Sequence, residues 1–527
     1  MVLSSEGAWR HCQVMCIKAI ALFVLLTVAE AAAPARPLSV RIELADGAHV
    51  FDSVRGKVLG DYIGPDFVQQ NIEARDPKIP FTVYFRPDRA GERREVVFEW
   101  GDVLKGIPRH LGAYTATISE GGKEIARVDV SAHYWLSRWR WQSTPRPVVR
   151  TAAELIAARL VPPYAAIATV PHPAGAPPYT VMDLSDVTSY MPTTGDRSDI
   201  GLMPERYAAF LATGDTALQA SIFAWAEASS TIPWHVRDTA THAPLSYDAY
   251  PEASTYENQK GSKPTLSLLP TQRVAIDGAH QPALAYLPFL LTGDPYYLEE
   301  LQFAATFTLG NYPHHGGIIR HDQTREFAWT LRTMFYTASA TPEQVPSWLL
   351  PKAYWQDKLV RNRLWIMRNY VDNPSTKTAT FSSGVDALRM PCWQEDFLAA
   401  VLGLGVWMGY TDWEPVSAWK IKNTIARANG TSGWPRAHPT CYYAELEQGG
   451  AKANNWHDLA VLNKLNPSEN ESLDPKTDGS SSAFARAALA LGVANNVAEA
   501  AEPYQWLDGE IRKKYIPWRW AIAPPAP

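Results

Sequence analysis

The chain has 527 residues, a formal net charge of −5 and 46% hydrophobic residues. That length excludes a single small domain, and the balance fits a globular protein with a large core. The mildly acidic total offers no global attraction to nucleic acid, so no nucleic-acid partner is expected.

The N-terminus reads as a secretory signal over residues 1–31. Arg10, His11 and Lys18 precede an apolar run at 19–28, and Ala29-Glu30-Ala31 suits a cleavage site. The run is short for a bilayer crossing, so no membrane span is expected after its removal. The mature protein is expected to be secreted or periplasmic. Cys12 and Cys16 fall inside this segment, which leaves Cys392 and Cys441. These two either pair in an oxidising compartment or stay as buried thiols. The chain has no CxxC or HExxH pattern, and neither a metal nor a cofactor is expected.

Residues 37–143 read as strands. SVRIEL, FTVYF, EVVFEW, YTATIS and IARVDVSAHYW are rich in β-branched and aromatic residues, and Gly121-Gly122 marks a hairpin turn. A small β-sandwich acting as an accessory domain is expected. WLSRWRW at 135–141 puts Trp135 and Arg138 at a domain interface or at a ligand. Proline-rich residues 144–182 read as a linker carrying one short helix, TAAELIAARL.

Helical periodicity dominates 183–527. PERYAAFLATGDTALQASIFAWAEASS gives helix, turn, helix. PALAYLPFLLTGDPYYLEELQFAATFTL repeats the plan, with helices expected at 280–291 and 295–308. Further pairs follow at 324–371, 393–428 and 480–511. Their first helices are apolar nearly all round and their second helices carry charge on one side, as inner and outer layers would. The fold class expected is mainly α: an (α/α) toroid of five to six helical hairpins preceded by the β-sandwich, with an open solenoid as the alternative.

In such a ring the turns within hairpins share one end and the connections between hairpins share the other. The connections are the long ones: 189–199, 234–259, 311–326, 382–396, 429–445 and 477–482. Long loops rich in aromatic, His and Arg residues point to function at that rim. Inner-helix N-termini gathered there, with Arg237, Arg273, Arg320, Arg325, Arg389 and Arg436, favour an anionic ligand.

The hairpin pattern and loaded rim, with segments such as TTGDRSDIG, DGAHQPALAYLP, REFAWTLR and PCWQEDF, resemble the six-hairpin glycosidase-like and (α/α)-toroid polysaccharide lyase families. The resemblance covers residues 183–527 and implies a polysaccharide or oligosaccharide substrate. It supplies no catalytic residue by itself.

Two chemistries then compete. β-Elimination needs a base, an acid and a group that neutralises a uronate carboxylate. His280, His315, His438, Tyr256, Arg325 and Arg436 are the catalytic candidates for it. Hydrolysis needs two carboxylates across the bond. Asp199, Asp277, Glu326 and Asp396 fall at or near helix starts and are candidates to bind substrate, with Gln281, Trp393 and Tyr442. Elimination is slightly preferred because His, Arg and Tyr crowd the rim. A non-catalytic glycan-binding protein is the remaining alternative.

Overall fold

The computed structural model describes residues 36–91, 93–102, 110–165, 171–188, 197–255, 278–311, 316–319, 323–373, 377–381, 388–465, 480–511 and 516–525. The N-terminal part holds β1 (Leu38–Leu44), β2 (Gly47–Asp52), β3 (Lys57–Ile63), β4 (Val68–Ala74), β5 (Thr82–Phe85), β6 (Glu95–Glu99), β7 (His110–Leu111), β8 (Tyr114–Glu120), β9 (Lys123–Val130), β10 (His133–Tyr134) and β11 (Arg138–Gln142). One antiparallel sheet runs β2-β1-β8-β9 and a second runs β11-β6-β5-β4-β3. Alternation sorts their side chains. Val40, Ile42, Ala116, Ile118, Val83, Val96, Phe98 and Trp139 share one buried apolar cluster, in which Phe98 and Trp139 stack at 3.9 Å.

The intervening residues of the second sheet, Glu95, Val97, Glu99, Arg138 and Arg140, are buried too. They face the helices. Arg138 donates from Nε to Glu300 Oε1 at 2.5 Å, pairs with Glu299, and donates from Nη2 to the Tyr296 carbonyl at 3.0 Å. Arg140 reaches Asp294 at 2.8 Å, Glu95 at 3.1 Å and Glu227. Arg237 bridges Glu99 and Glu299, and His235 meets Glu300 at 2.9 Å. The segment Trp135–Trp141 thus lies between the sheets and the helices, joined to the helical part by the buried charge of Arg138 and Arg140 and by the apolar contact of Leu136 with Val236.

The helical part contains α1 (Ala152–Ala157), α2 (Glu205–Thr213), α3 (Gln219–Ser229), α4 (Tyr286–Thr292), α5 (Pro295–Leu309), α6 (Thr324–Ala340), α7 (Lys352–Ile366), α8 (Cys392–Trp407), α9 (Glu414–Ala428), α10 (Trp456–Leu462), α11 (Ser480–Ala494) and α12 (Ala501–Ile511). The repeated Thr-Gly-Asp makes the same turn twice. Gly293 takes φ +67° as the C-terminal cap of α4, a backbone region in which a side chain is strained. Asp294 then caps α5 by accepting from the Tyr296 N–H at 3.2 Å. Thr292 Oγ1 donates to the Pro288 carbonyl at 2.7 Å. Thr213, Gly214 and Asp215 repeat these contacts between α2 and α3.

The expected helix at 280–291 is shorter than its pattern. A 3-10 turn covers Gly278–His280 and the α-helix starts only at Tyr286. Pro282 lacks the N–H and disfavours helical geometry at Gln281, which delays the start. Helix α6 packs on α4 and α8, and α8 packs on α11. A C-terminal 3-10 turn, Trp518–Trp520, packs against α2 and α11. Glu205 at the start of α2 fixes it by accepting from the Trp518 N–H at 2.8 Å and from Arg519 Nη1 at 2.9 Å. No helix among the described residues is long and apolar enough to cross a membrane.

The expectation of a mainly α chain, an (α/α) toroid with a small β-sandwich in front, is corrected. The described residues combine long helices with extended antiparallel sheets, and the chain is α plus β. Every residue of α5 is buried, although it read as an outer, solvent-facing helix. The five-stranded sheet covers it, because the Arg and Glu residues that read as polar surface in sequence pair across the two parts.

This interface makes stability depend on acid. Burial raises the Glu300 carboxyl, but Arg138 and His235 outweigh that and hold it at about 2. Asp294 and Glu299 are likewise held well below the usual carboxylate range, with Arg93, Arg140, Arg86 and Arg138 overcoming burial. A depressed carboxyl contributes fully above its unfolded value and loses that contribution as pH falls through its folded value. Thermal melts taken from pH 4.5 down to pH 2 should therefore show a steep loss of stability. In Glu300→Gln that loss should shrink by roughly 3 kcal/mol. An unchanged acid slope in the variant would exclude this carboxylate as its source.

Candidate functional site

The Gly278–His280 turn lies between the segment 197–199 and the first turn of α6. Arg197 holds one side. Its Nε donates to Asp199 Oδ1 at 2.9 Å and its Nη2 to the His280 carbonyl at 3.0 Å. The Thr188 N–H donates to Asp199 Oδ2 at 3.3 Å. Asp199 is fully buried. Burial raises its carboxyl above the ordinary aspartate value, against the opposing pull of Arg197. This group is shifted toward the protonated form, as a proton donor requires.

The other side of the turn is held by Asn311 and Glu326. The Gly278 N–H donates to Asn311 Oδ1 at 2.8 Å. Glu326 stands in the first turn of α6 with its side chain directly over Gly278. A Cβ at position 278 would lie 2.6 Å from the Glu326 Cγ, so only glycine admits this approach. His280 is 2% exposed and Glu326 is 2% exposed. Glu326 thus packs directly on the turn that carries His280, and Asp199 is linked to that turn through Arg197.

Gln281 is a strut rather than an open contact. Its Nε2 donates to Thr330 Oγ1 at 3.3 Å, its Oε1 accepts from Thr333 Oγ1 at 3.3 Å, and its carbonyl accepts from Arg332 at 3.0 Å. Sequence reading missed Arg332. It is fully buried, and burial lowers it to about 10. It holds the carbonyls of Gly201 and Gln281 and so fixes the two approaches to the turn. Arg197 was also missed, although an Arg two residues before Asp199 within GDRSD is a legible signal.

The start of α6 joins this turn to an aromatic platform. The Arg325 N–H donates to Gln394 Oε1 at 2.9 Å, and its guanidinium lies 5.4 Å from the centroid of Trp393. Trp393 is buried and stacks on Tyr442 at 5.7 Å, with 19° between the rings. Tyr442 is 60% exposed. Tyr443 meets it edge-on, and Arg389 lies 5.4 Å from the Tyr443 centroid. The platform therefore presents one exposed ring backed by a buried one.

The remaining candidates sit elsewhere. Asp396 is fully buried and held by Arg427 and by Thr424 Oγ1 at 2.7 Å. Its neighbour Glu395 pairs with buried Lys420. Both carboxylates of PCWQEDF thus brace α8 against α9. Arg436 pairs with Glu502 at 2.7 Å and covers Trp506 on α12 at 4.0 Å. His438 is buried, and its carbonyl accepts from Trp434 Nε1 at 2.7 Å. Arg237 belongs to the interface with the sheets. Tyr256, Asp277 and His315 lie outside the described residues, as do Arg273 and Arg320. Among the described residues no group of three His, Cys, Asp or Glu side chains is placed to hold a metal ion.

No protein-family model matches the chain, and no curated protein matches its sequence.

Proposed function

We propose that the protein is a carbohydrate-active enzyme of the secreted or periplasmic space that cleaves a polysaccharide or oligosaccharide beside the Gly278–His280 turn. The observation that carries this is Glu326 packed directly on the turn of His280, with Asp199 linked to the same turn through Arg197 and the Trp393–Tyr442 platform one helix start away. An exposed tyrosine backed by tryptophan suits the C–H face of a pyranose. Asp199, shifted toward its protonated form, suits protonation of a leaving oxygen, and Glu326 suits the base or nucleophile.

Hydrolysis becomes the preferred chemistry, which reverses the preference drawn from sequence. Three of the rim arginines that argued for an anionic substrate, Arg237, Arg389 and Arg436, pair with Glu99, Glu445 and Glu502. Elimination keeps one supporting observation: His280 lies beside Arg197 and Asn311, the residue types that reaction uses.

The test is incubation of the mature protein with a panel of neutral and uronate polysaccharides. New reducing ends without the ultraviolet absorbance of an unsaturated uronate are the expected result. A rise in that absorbance would replace hydrolysis by elimination. Binding with neither product would remove both enzymatic readings.

A further inference from the structure

We propose that Cys392 and Cys441 close a disulfide that clamps the segment carrying Tyr442 to the N-terminus of α8. Two short strands bring them together. β12 (Arg389–Met390) pairs antiparallel with β13 (Ala444–Glu445), with Met390 opposite Ala444. Each cysteine follows or precedes that pair by two or three residues, which brings the two close together. Their Sγ atoms are in contact at 2.6 Å. Both cysteines belong to a small apolar cluster with Met390, Trp434, Ala444 and Leu459, separate from the main helical core. The segment 429–455 has little regular structure of its own beyond paired two-residue strands. Its attachment to α8 rests on this cluster, this pair and the stack of Tyr442 on Trp393.

The chemistry fits the two environments. Cys392 is fully buried at the first position of α8, whereas Cys441 is partly exposed. Burial raises the Cys392 thiol, but the contact from Cys441 and the nearby Arg427 outweigh it and bring it below the usual thiol value. Cys441 is pushed up, by Cys392 first and then by burial. A small-molecule disulfide such as oxidised glutathione exchanges at the partly exposed Cys441, releasing one small thiol and leaving a mixed disulfide. The Cys392 thiolate then attacks the Cys441 Sγ. The protein Sγ–Sγ bond forms, the mixed bond breaks, and the second small thiol leaves with a proton.

Trp393 and Tyr442 each follow one of these cysteines in sequence and stack on each other. The bond fixes both ends of that stack. The consequence for sugar binding rests on the function proposed above, whereas the bond itself does not.

The test uses the full chain equilibrated with oxidised glutathione, blocked with an alkylating agent and digested without reductant. A peptide pair joined through Cys392 and Cys441 is expected. Full alkylation of both residues would overturn the proposal. Amide exchange over 434–446 should then quicken roughly tenfold on reduction, and equally in Cys441→Ser, whose partly exposed site tolerates the change. Exchange that ignores reduction would overturn the clamp even where the bond forms. Oligosaccharide binding is read separately. If the bond and the exchange behave as expected but no sugar binds in either redox state, the clamp stands and the sugar-binding reading falls.

Discussion

Arg138→Ala is expected to cost about 3–5 kcal/mol of folding stability, as removal of one partner from a buried ionic group does. Arg138 is fully buried, and its guanidinium meets Glu299, Glu300 and Glu99 as well as the Tyr296 carbonyl. Its ring neighbours, Tyr296 at 4.3 Å and Phe303 at 5.2 Å, hold it in place. Without it, Glu300 keeps only His235 and Ser229 among these contacts, and Glu299 keeps Arg86 and Arg237. Two carboxylates would then sit in low dielectric with too little positive charge opposite them. Chemical denaturation reads the loss, and proteolysis within 144–182 reads any separation of the sheets from the helices. The double variant Arg138→Ala/Glu300→Ala should lose less than the sum of the single variants, because the second change removes a charge that the first left exposed to burial. A loss under about 0.5 kcal/mol for Arg138→Ala would make the network ornamental and end this account of the interface.

Local grammar was legible in the sequence, and long-range pairing was not. Thr292-Gly293-Asp294 could be read as a turn because each residue has a backbone reason to be there, and the structure shows all of those reasons. In sequence the same Asp294 reads only as part of that turn. In the structure it sits among Arg93 and Arg140, from the part of the chain that reads as an accessory domain, and Arg146, from the part that reads as a linker. Nothing local marks a carboxylate as destined for a buried pair with an arginine far away in sequence. The same blindness produced the fold correction. The charges of Leu298-Glu299-Glu300 looked like a solvated helix face, yet both glutamates are fully buried. Of the residues expected at helix starts, Glu326 does stand in the first turn of α6, whereas Asp199 lies six residues before α2 begins. Asp396 stands in α8 and pairs with Arg427, one helix onward. The proline at 282 also shows how residue chemistry can override periodicity, since it replaces the expected first turns of a helix by the buried 3-10 turn of His280.

Asp199→Asn and Glu326→Gln should each lower kcat by about a thousandfold or more, with thermal melting within a few degrees of the parent protein. Neither change alters volume, so a loss of rate without unfolding isolates the chemistry. The two effects should be far from additive, because acid and base serve one bond cleavage. The pH profile separates their roles. A general acid works in its protonated form, so rate falls as pH rises through its pKa. Burial puts that alkaline limb above the ordinary aspartate value for Asp199. Arg197 opposes burial at 2.9 Å from the carboxylate, so Arg197→Met should move the limb to still higher pH. In Asp199→Asn the alkaline limb should disappear. A structural role for Asp199 would instead lower rate at every pH and leave the profile's shape unchanged. Undiminished kcat in Asp199→Asn would remove it from the mechanism, and an alkaline limb that moves down in Arg197→Met would show that a different group is titrating.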